Sequence, residues 1–121
     1  MAGRPTFNTV SLLGTLGREP ERKSSKEGAV CTLWMVTNDR TSSGEVKENW
    51  HKITLFKKHA ENALRYLKKG AYILVDGILT WSSWTDSHGQ KRHDAEVIAS
   101  FVLYLPTGGK DEPTYDDGVL Y

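Results

Sequence analysis

NWHKITLFKKHAENALRYLKKG, residues 49–70, changes period halfway along its length, and that change decides the fold. In residues 49–57 apolar and polar side chains alternate, as they do in a β-strand, so Trp50, Lys52, Thr54, Phe56 and Lys58 share one face while His51, Ile53 and Leu55 share the other. From residue 57 the apolar positions fall at Ala60, Ala63, Leu64 and Leu67, the spacing of one face of a helix, with charges opposite. Lys68 and Lys69 suit the negative end of that helix, and Gly70 stands where a C-terminal cap is expected.

Strands are expected on both sides of this segment. TFNTVSLLGTL (6–16) reads as strand one, closed by the turn GREPE. SSKEG is a turn, and AVCTLWMVTN (29–38) is a second strand rich in β-branched and aromatic residues. DRTSSGEVKE reads as a polar loop, 49–57 as strand three, AYILVDGILTW (71–81) as strand four, SWTDSHGQKRHD (83–94) as a long polar hairpin loop and AEVIASFVLYL (95–105) as strand five. Three strands, a helix and two strands in about one hundred residues are too few for two covered sheets. Closure into a small barrel removes the exposed edges, which predicts a mainly β OB-fold: a five-stranded Greek-key barrel with one helix between strands three and four.

Composition bounds the function. The chain has 121 residues, enough for one domain, and no apolar run long enough to span a membrane. MAGRPTFNTV lacks the features of a secretory signal and the single cysteine, Cys31, cannot form an internal disulfide, so a reducing cytoplasm is expected. The net charge of +1 conceals an asymmetry: residues 106–121 hold Lys110 against Asp111, Glu112, Asp116 and Asp117, a charge of −3, which leaves +4 on residues 1–105. The expected organisation is an OB-fold domain over 1–105 and a short, flexible acidic tail over 106–121. A mildly basic body suits nucleic acid, and an acidic end suits another partner.

Ile53 and Leu55 mark the inward face of strand three, so Trp50 and Phe56 point outward with Lys52 and Lys58 between and beside them. Single-stranded nucleic acid needs both parts, flat rings for unpaired bases and cations for phosphates. The other reading of the same rings is that a loop or second subunit covers them. Strand two repeats the logic: Cys31, Leu33 and Met35 form the apolar set, which displays Trp34 opposite, either for stacking or as a subunit contact. Trp81 and Trp84 are three apart and therefore on opposite faces. Trp81 shares parity with Ile73, Val75 and Leu79 and is assigned to the core or an interface. Trp84 opens a cationic hairpin with Lys91 and Arg92 and is assigned to stacking.

These residues resemble a known family. WHKITLFKKHAENALRYLKKGAYILVDGILTWSSWTD is similar to the central segment of bacterial-type single-stranded DNA-binding proteins, NTVSLLGTLGREPE to their first strand and turn, and GAVCTLWMVTN to their second strand, so the resemblance covers about residues 6–105. It implies a homotetramer of OB-folds that wraps single-stranded DNA without sequence preference during replication, recombination and repair. Trp50, Phe56 and Trp84 match the family's stacking aromatics, Lys52, Lys58 and Lys69 its basic positions near DNA, and His51 a position at the subunit interface. The family often has a tryptophan just after strand two; DRTSSG has none, and Trp34 stands in from within the strand. The usual long linker is nearly absent, yet the chain ends with Asp116 and Asp117 followed by Val119, Leu120 and Tyr121, a version of the tip with which the family recruits partner proteins. The compact length suits a phage- or plasmid-encoded member acting in a bacterial cell or phage-infected host.

No metal, cofactor or enzymatic activity is expected. His88, His93, Asp86 and Asp94 lack a metal-ligand spacing, Cys31 belongs to the apolar face of a strand, and the GTLG turn lacks the lysine and helix of a phosphate loop. Two other functions fit an OB-fold of this pattern: a primosome-type protein acting through a helicase or loader, against which the full aromatic set argues, and an adaptor whose aromatic face binds protein.

Overall fold

A computed structural model describes residues 3–23 and 26–106. Its strands are β1 (Val10–Leu16), β2 (Glu21–Lys23), β3 (Val30–Arg40), β4 (Val46–Phe56), β5 (Tyr72–Thr85) and β6 (Lys91–Leu105), and its helix α1 is Lys57–Tyr66. The sheet runs β1-β5-β6-β4-β3-β2, and a further β1–β3 pairing through Thr15↔Val36 and Leu16↔Met35 closes it into a barrel. Only β4 and β6 pair in parallel. The five long strands and the helix after β4 make the expected OB-fold, with the three-residue β2 added along the edge of β3.

The alternation read from the sequence places the core. Cys31, Leu33, Met35, Ile53, Leu55, Ile73 and Val75 are all fully buried inside the barrel. Ala60, Ala63 and Leu67 close one mouth of it. A sharp turn links β4 to α1: Lys57 has φ 53, a left-handed conformation unusual for a side-chain-bearing residue, and its amide donates to the Ala29 carbonyl at 2.8 Å. Strand alternation therefore ends at Phe56, and Lys58 projects from the first helical turn instead of extending the row of Trp50, Lys52 and Phe56.

Three expectations are corrected. The helix stops at Tyr66 with Leu67 as an extended C-cap, so Gly70 does not cap it; Gly70 lies in the following turn and its amide donates to the Leu16 carbonyl. The polar stretches 39–48 and 83–94 are mostly strand, and only residues 41–45 and 86–90 turn. These strand ends form two-stranded arms standing clear of the barrel, wet on both faces, so they lack the apolar alternation of a half-buried strand. Strand one starts later than expected, at Val10. The Asn8 side chain takes over the pairing there, donating to the Leu79 carbonyl and accepting from the Leu79 amide.

A bulge re-aims the second arm. Asp76 pairs with Phe101 but Gly77 with Ala99, leaving Ser100 as the extra residue. At Gly77 the chain passes so close to Ile98 that a Cβ would overlap the Ile98 carbonyl.

Candidate nucleic-acid interface

The outer face of the β3–β4 ribbon is a ladder of cross-strand pairs: Val30↔Phe56, Thr32↔Thr54, Trp34↔Lys52 and Val36↔Trp50. Trp34 and Trp50 are diagonal neighbours in this ladder, close enough for large rings to share one ligand or one covering group. Trp50 is 49% exposed and Phe56 44%, whereas Trp34 is half-buried. The sequence assigned these three rings to one surface, and that is where they lie.

Three features explain the ladder's geometry. The Trp50 ring lies on the backbone of Gly17, where a Cβ would overlap the six-membered ring and press on Val36. The Gly17 amide donates to the Trp34 carbonyl at 2.9 Å, which fixes the turn after β1 beside the ladder. Arg18, next in that turn, sets its guanidinium carbon 5.4 Å from the centroid of Trp34 and 5.9 Å from that of Trp50. Cation–π contacts of this kind contribute about 0.5–1 kcal/mol each at exposed sites. The Lys69 amide donates to Glu19 Oε1 at 3.1 Å, so the turn carrying Lys69 abuts the one carrying Arg18.

The second arm continues this surface. Glu96 of β6 faces the ladder: its Oε2 accepts from Thr54 Oγ1 at 2.8 Å and lies 3.9 Å from Lys52 Nζ. Along β6, Asp94 and Arg92 share the side of Glu96, and their partners Ser82 and Trp84 share it on β5. Trp84, 49% exposed, thus belongs to the same outer surface as Trp34, Trp50 and Phe56, and its Nε1 donates to Asp94 Oδ2 at 2.5 Å, which orients the ring. Arg92 Nε is tied to Asp86 Oδ2 at 2.9 Å. The amide of Gln90, then the Arg92 side chain and the amide of His88, hold the Asp86 carboxyl below its ordinary value, so this pair stays charged and braces the 86–90 turn.

Lys91 and Trp81 lie on the other face of the arm. Lys91 pairs with Thr85 and His93 with Ser83, on the side of Trp81, so Lys91 and Arg92 are not one cluster. The assignment of Trp81 to packing is not met within this chain: the ring is 67% exposed, because the arm has left the barrel by the time the parity of Ile73 and Val75 reaches it. His51 faces inward as expected. Its Nε2 lies 2.8 Å from Thr37 Oγ1, and burial lowers its pKa from the ordinary 6.5. Burial likewise pushes the Cys31 thiol up to about 11, despite the opposing effect of Arg22.

Sequence parity did not find Arg18, because a turn has no alternation to read; its one signal was a cation directly after a strand-ending glycine. Nor did it find that Glu96 and Asp94 temper the positive charge of the surface. Asp116, Asp117, Val119, Leu120 and Tyr121 lie outside the described residues. Among the described residues no group of three His, Cys, Asp or Glu side chains could hold a metal ion, and no helix is long and apolar enough to cross a membrane.

The profile of the Single-strand binding protein family matches residues 7–105. The chain belongs to that family. Among solved structures it is similar to the Plasmodium falciparum SSB in its complex with ssDNA, with 28% sequence identity, a TM-score of 0.75, and coverage of 87% of this chain and 100% of that one. The match takes in the barrel, both arms and the β3–β4 ladder.

Proposed function

We propose that this protein binds single-stranded DNA without sequence preference and protects it during replication, recombination and repair. The observation that supports this reading best is the single outer surface carrying Trp34, Trp50, Phe56 and Trp84 with Lys52 and Arg92 among them, in a chain of the single-strand binding protein family. Bases stack on the rings, typically worth about 1–3 kcal/mol each, and tolerate any sequence because every base has a π-face. Lys52, Lys58, Lys69 and Arg92 meet phosphates, whereas Lys91, on the opposite face of the arm, does not share this surface.

The active form is a homotetramer. Leu13, Leu74 and Leu103 line up across β1, β5 and β6 on the outside of the barrel, flanked by Phe101 and Ile78, an apolar patch of the kind that a second copy covers. His51, opposite Met35 midway along the β3–β4 ribbon, contributes to a subunit contact. Residues 1–105 form the DNA-binding domain, and the tail 106–121 recruits replication or repair proteins through Asp116, Asp117, Val119, Leu120 and Tyr121, its acids meeting a basic rim and its apolar end a pocket.

Titration of the full chain with oligothymidine and with duplex of equal length tests this. The single strand is expected to bind tighter, to bind less tightly as salt rises, and to quench tryptophan fluorescence. Equal affinity for the two would overturn the proposal. Trp50→Ala and Trp84→Ala should weaken DNA binding with the assembly intact; dissociation of the oligomer instead would favour the protein-adaptor reading.

A further inference from the structure

We propose that Arg18 is a single-stranded DNA contact that caps the Trp34–Trp50 pair in the free protein and exchanges its ring contacts for a phosphate when a base enters. The inference rests on the DNA-binding reading above and names a residue and a movement which that reading does not contain.

Three observations converge on it. The guanidinium stands over both rings, 5.4 Å from one centroid and 5.9 Å from the other. A stacked base needs the same space, so the two compete for the rings. Second, Arg18 is exposed and among the described residues has no ion-pair partner, whereas Lys52 leans toward Glu96 and Arg92 is held by Asp86. Its charge is therefore not drawn to a carboxylate as those of Lys52 and Arg92 are, and a planar guanidinium suits both ring stacking and bidentate phosphate binding. Third, among the described residues the single buried side-chain donor without an acceptor is Nε1 of Trp34, in the ring that Arg18 covers. A nucleotide that displaces Arg18 from this ring brings acceptor oxygens next to it.

The anchor of the turn keeps the movement local. Gly17 is tied to Trp34 through its amide and Glu19 to the Lys69 amide, so the backbone on both sides of Arg18 is held while the side chain, with several rotatable bonds, can swing.

Arg18→Ala and Arg18→Lys, made in the full chain and titrated with oligothymidine over a range of salt, test the proposal. Arg18→Ala should weaken binding about tenfold at low salt and make the slope of log K against log salt shallower by about 0.7, the loss of one phosphate contact on a single strand. Arg18→Lys should restore the slope but only part of the affinity, since an ammonium reaches phosphate without stacking. In the wild-type protein the Arg18 Hε resonance, displaced by the ring currents of both tryptophans, should shift when oligothymidine is added. Wild-type affinity and slope in Arg18→Ala, with the Hε resonance unmoved by DNA, would overturn the role of Arg18. Failure of the wild-type protein to bind oligothymidine would instead overturn the DNA-binding reading beneath it.

Discussion

Gly17→Ala separates stability from binding in this protein. The added methyl would overlap the outer edge of the Trp50 ring and touch Val36, and no backbone atom is among its nearest neighbours. Trp50 is half exposed, so the ring can swing outward without opening the core. Two terms then nearly cancel in the stability. Displacing the ring loses some of its packing on Val36, about 1 kcal/mol by area, and replacing glycine restricts the unfolded chain, which gains about 0.4–1 kcal/mol where the backbone conformation is tolerated. The midpoint of thermal unfolding should stay within about 5 °C of wild type. Binding has no such compensation. A tilted Trp50 no longer lies flat in the ladder beside Trp34, and loss of one stacked base, about 1–3 kcal/mol, weakens oligothymidine binding by roughly 5- to 150-fold. Differential scanning calorimetry and fluorescence titration measure the two effects on one sample. A variant that melts far lower yet binds as wild type would refute the reasoning, since the ring would then serve to hold the turn and not to receive a base.

Gly77→Ala should do the reverse. Its Cβ would meet the backbone at Ile98 and Ala99, which cannot swing aside, so the β5–β6 bulge distorts and the protein loses about 2–3 kcal/mol, read as a lower urea midpoint at unchanged slope. Cys31 should resist a thiol reagent in the native protein at about pH 8, where a thiol raised to about 11 is roughly one part in a thousand thiolate, and react at once in denaturant; rapid native reaction would contradict its burial. Burial lowers the folded-state pKa of His51 below the 6.5 of the unfolded chain, so the unfolded state takes up the proton first. Its contribution to stability should be complete above pH 6.5, decline as pH falls through 6.5 towards the folded pKa, and be flattened in His51→Gln; a stability that rises over that interval in wild type relative to the variant would refute the assignment.

The parts of this fold legible in the sequence are those where one face is buried. Ile53 and Leu55 against Trp50 and Phe56, and Leu33 and Met35 against Trp34, are oriented by the barrel interior, and parity alone ordered them correctly. Where both faces are wet the pattern carries no such information. The arms formed by residues 39–48 and 83–94 therefore read as loops, although cross-strand pairs such as Trp84↔Arg92 continue through them. Helix length failed for a related reason: Leu67 keeps the helical spacing of its apolar neighbours but reaches the barrel mouth from an extended C-cap, because the chain has to turn there to enter β5.

The same distinction explains why Trp81 and Trp84 differ in what the sequence reveals about them. Trp84 is oriented by a local partner, Asp94, two residues from its cross-strand neighbour, and lies on the side that Glu96 joins to the ladder. Trp81 continues the inward row of Ile73 and Val75 past the end of the barrel, where that row has nothing left in its own chain to face. A ring 67% exposed, with the apolar Leu79 behind it and His93 diagonal to it, is suited to pack against another surface. In the homotetramer proposed above, that surface is a second copy. Trp81→Ala should then shift the assembly towards smaller species in analytical ultracentrifugation while leaving oligothymidine affinity per chain within about twofold at low salt. A variant that assembles normally but loses DNA affinity would place Trp81 on the nucleic acid instead, and would make both faces of the arm binding surfaces.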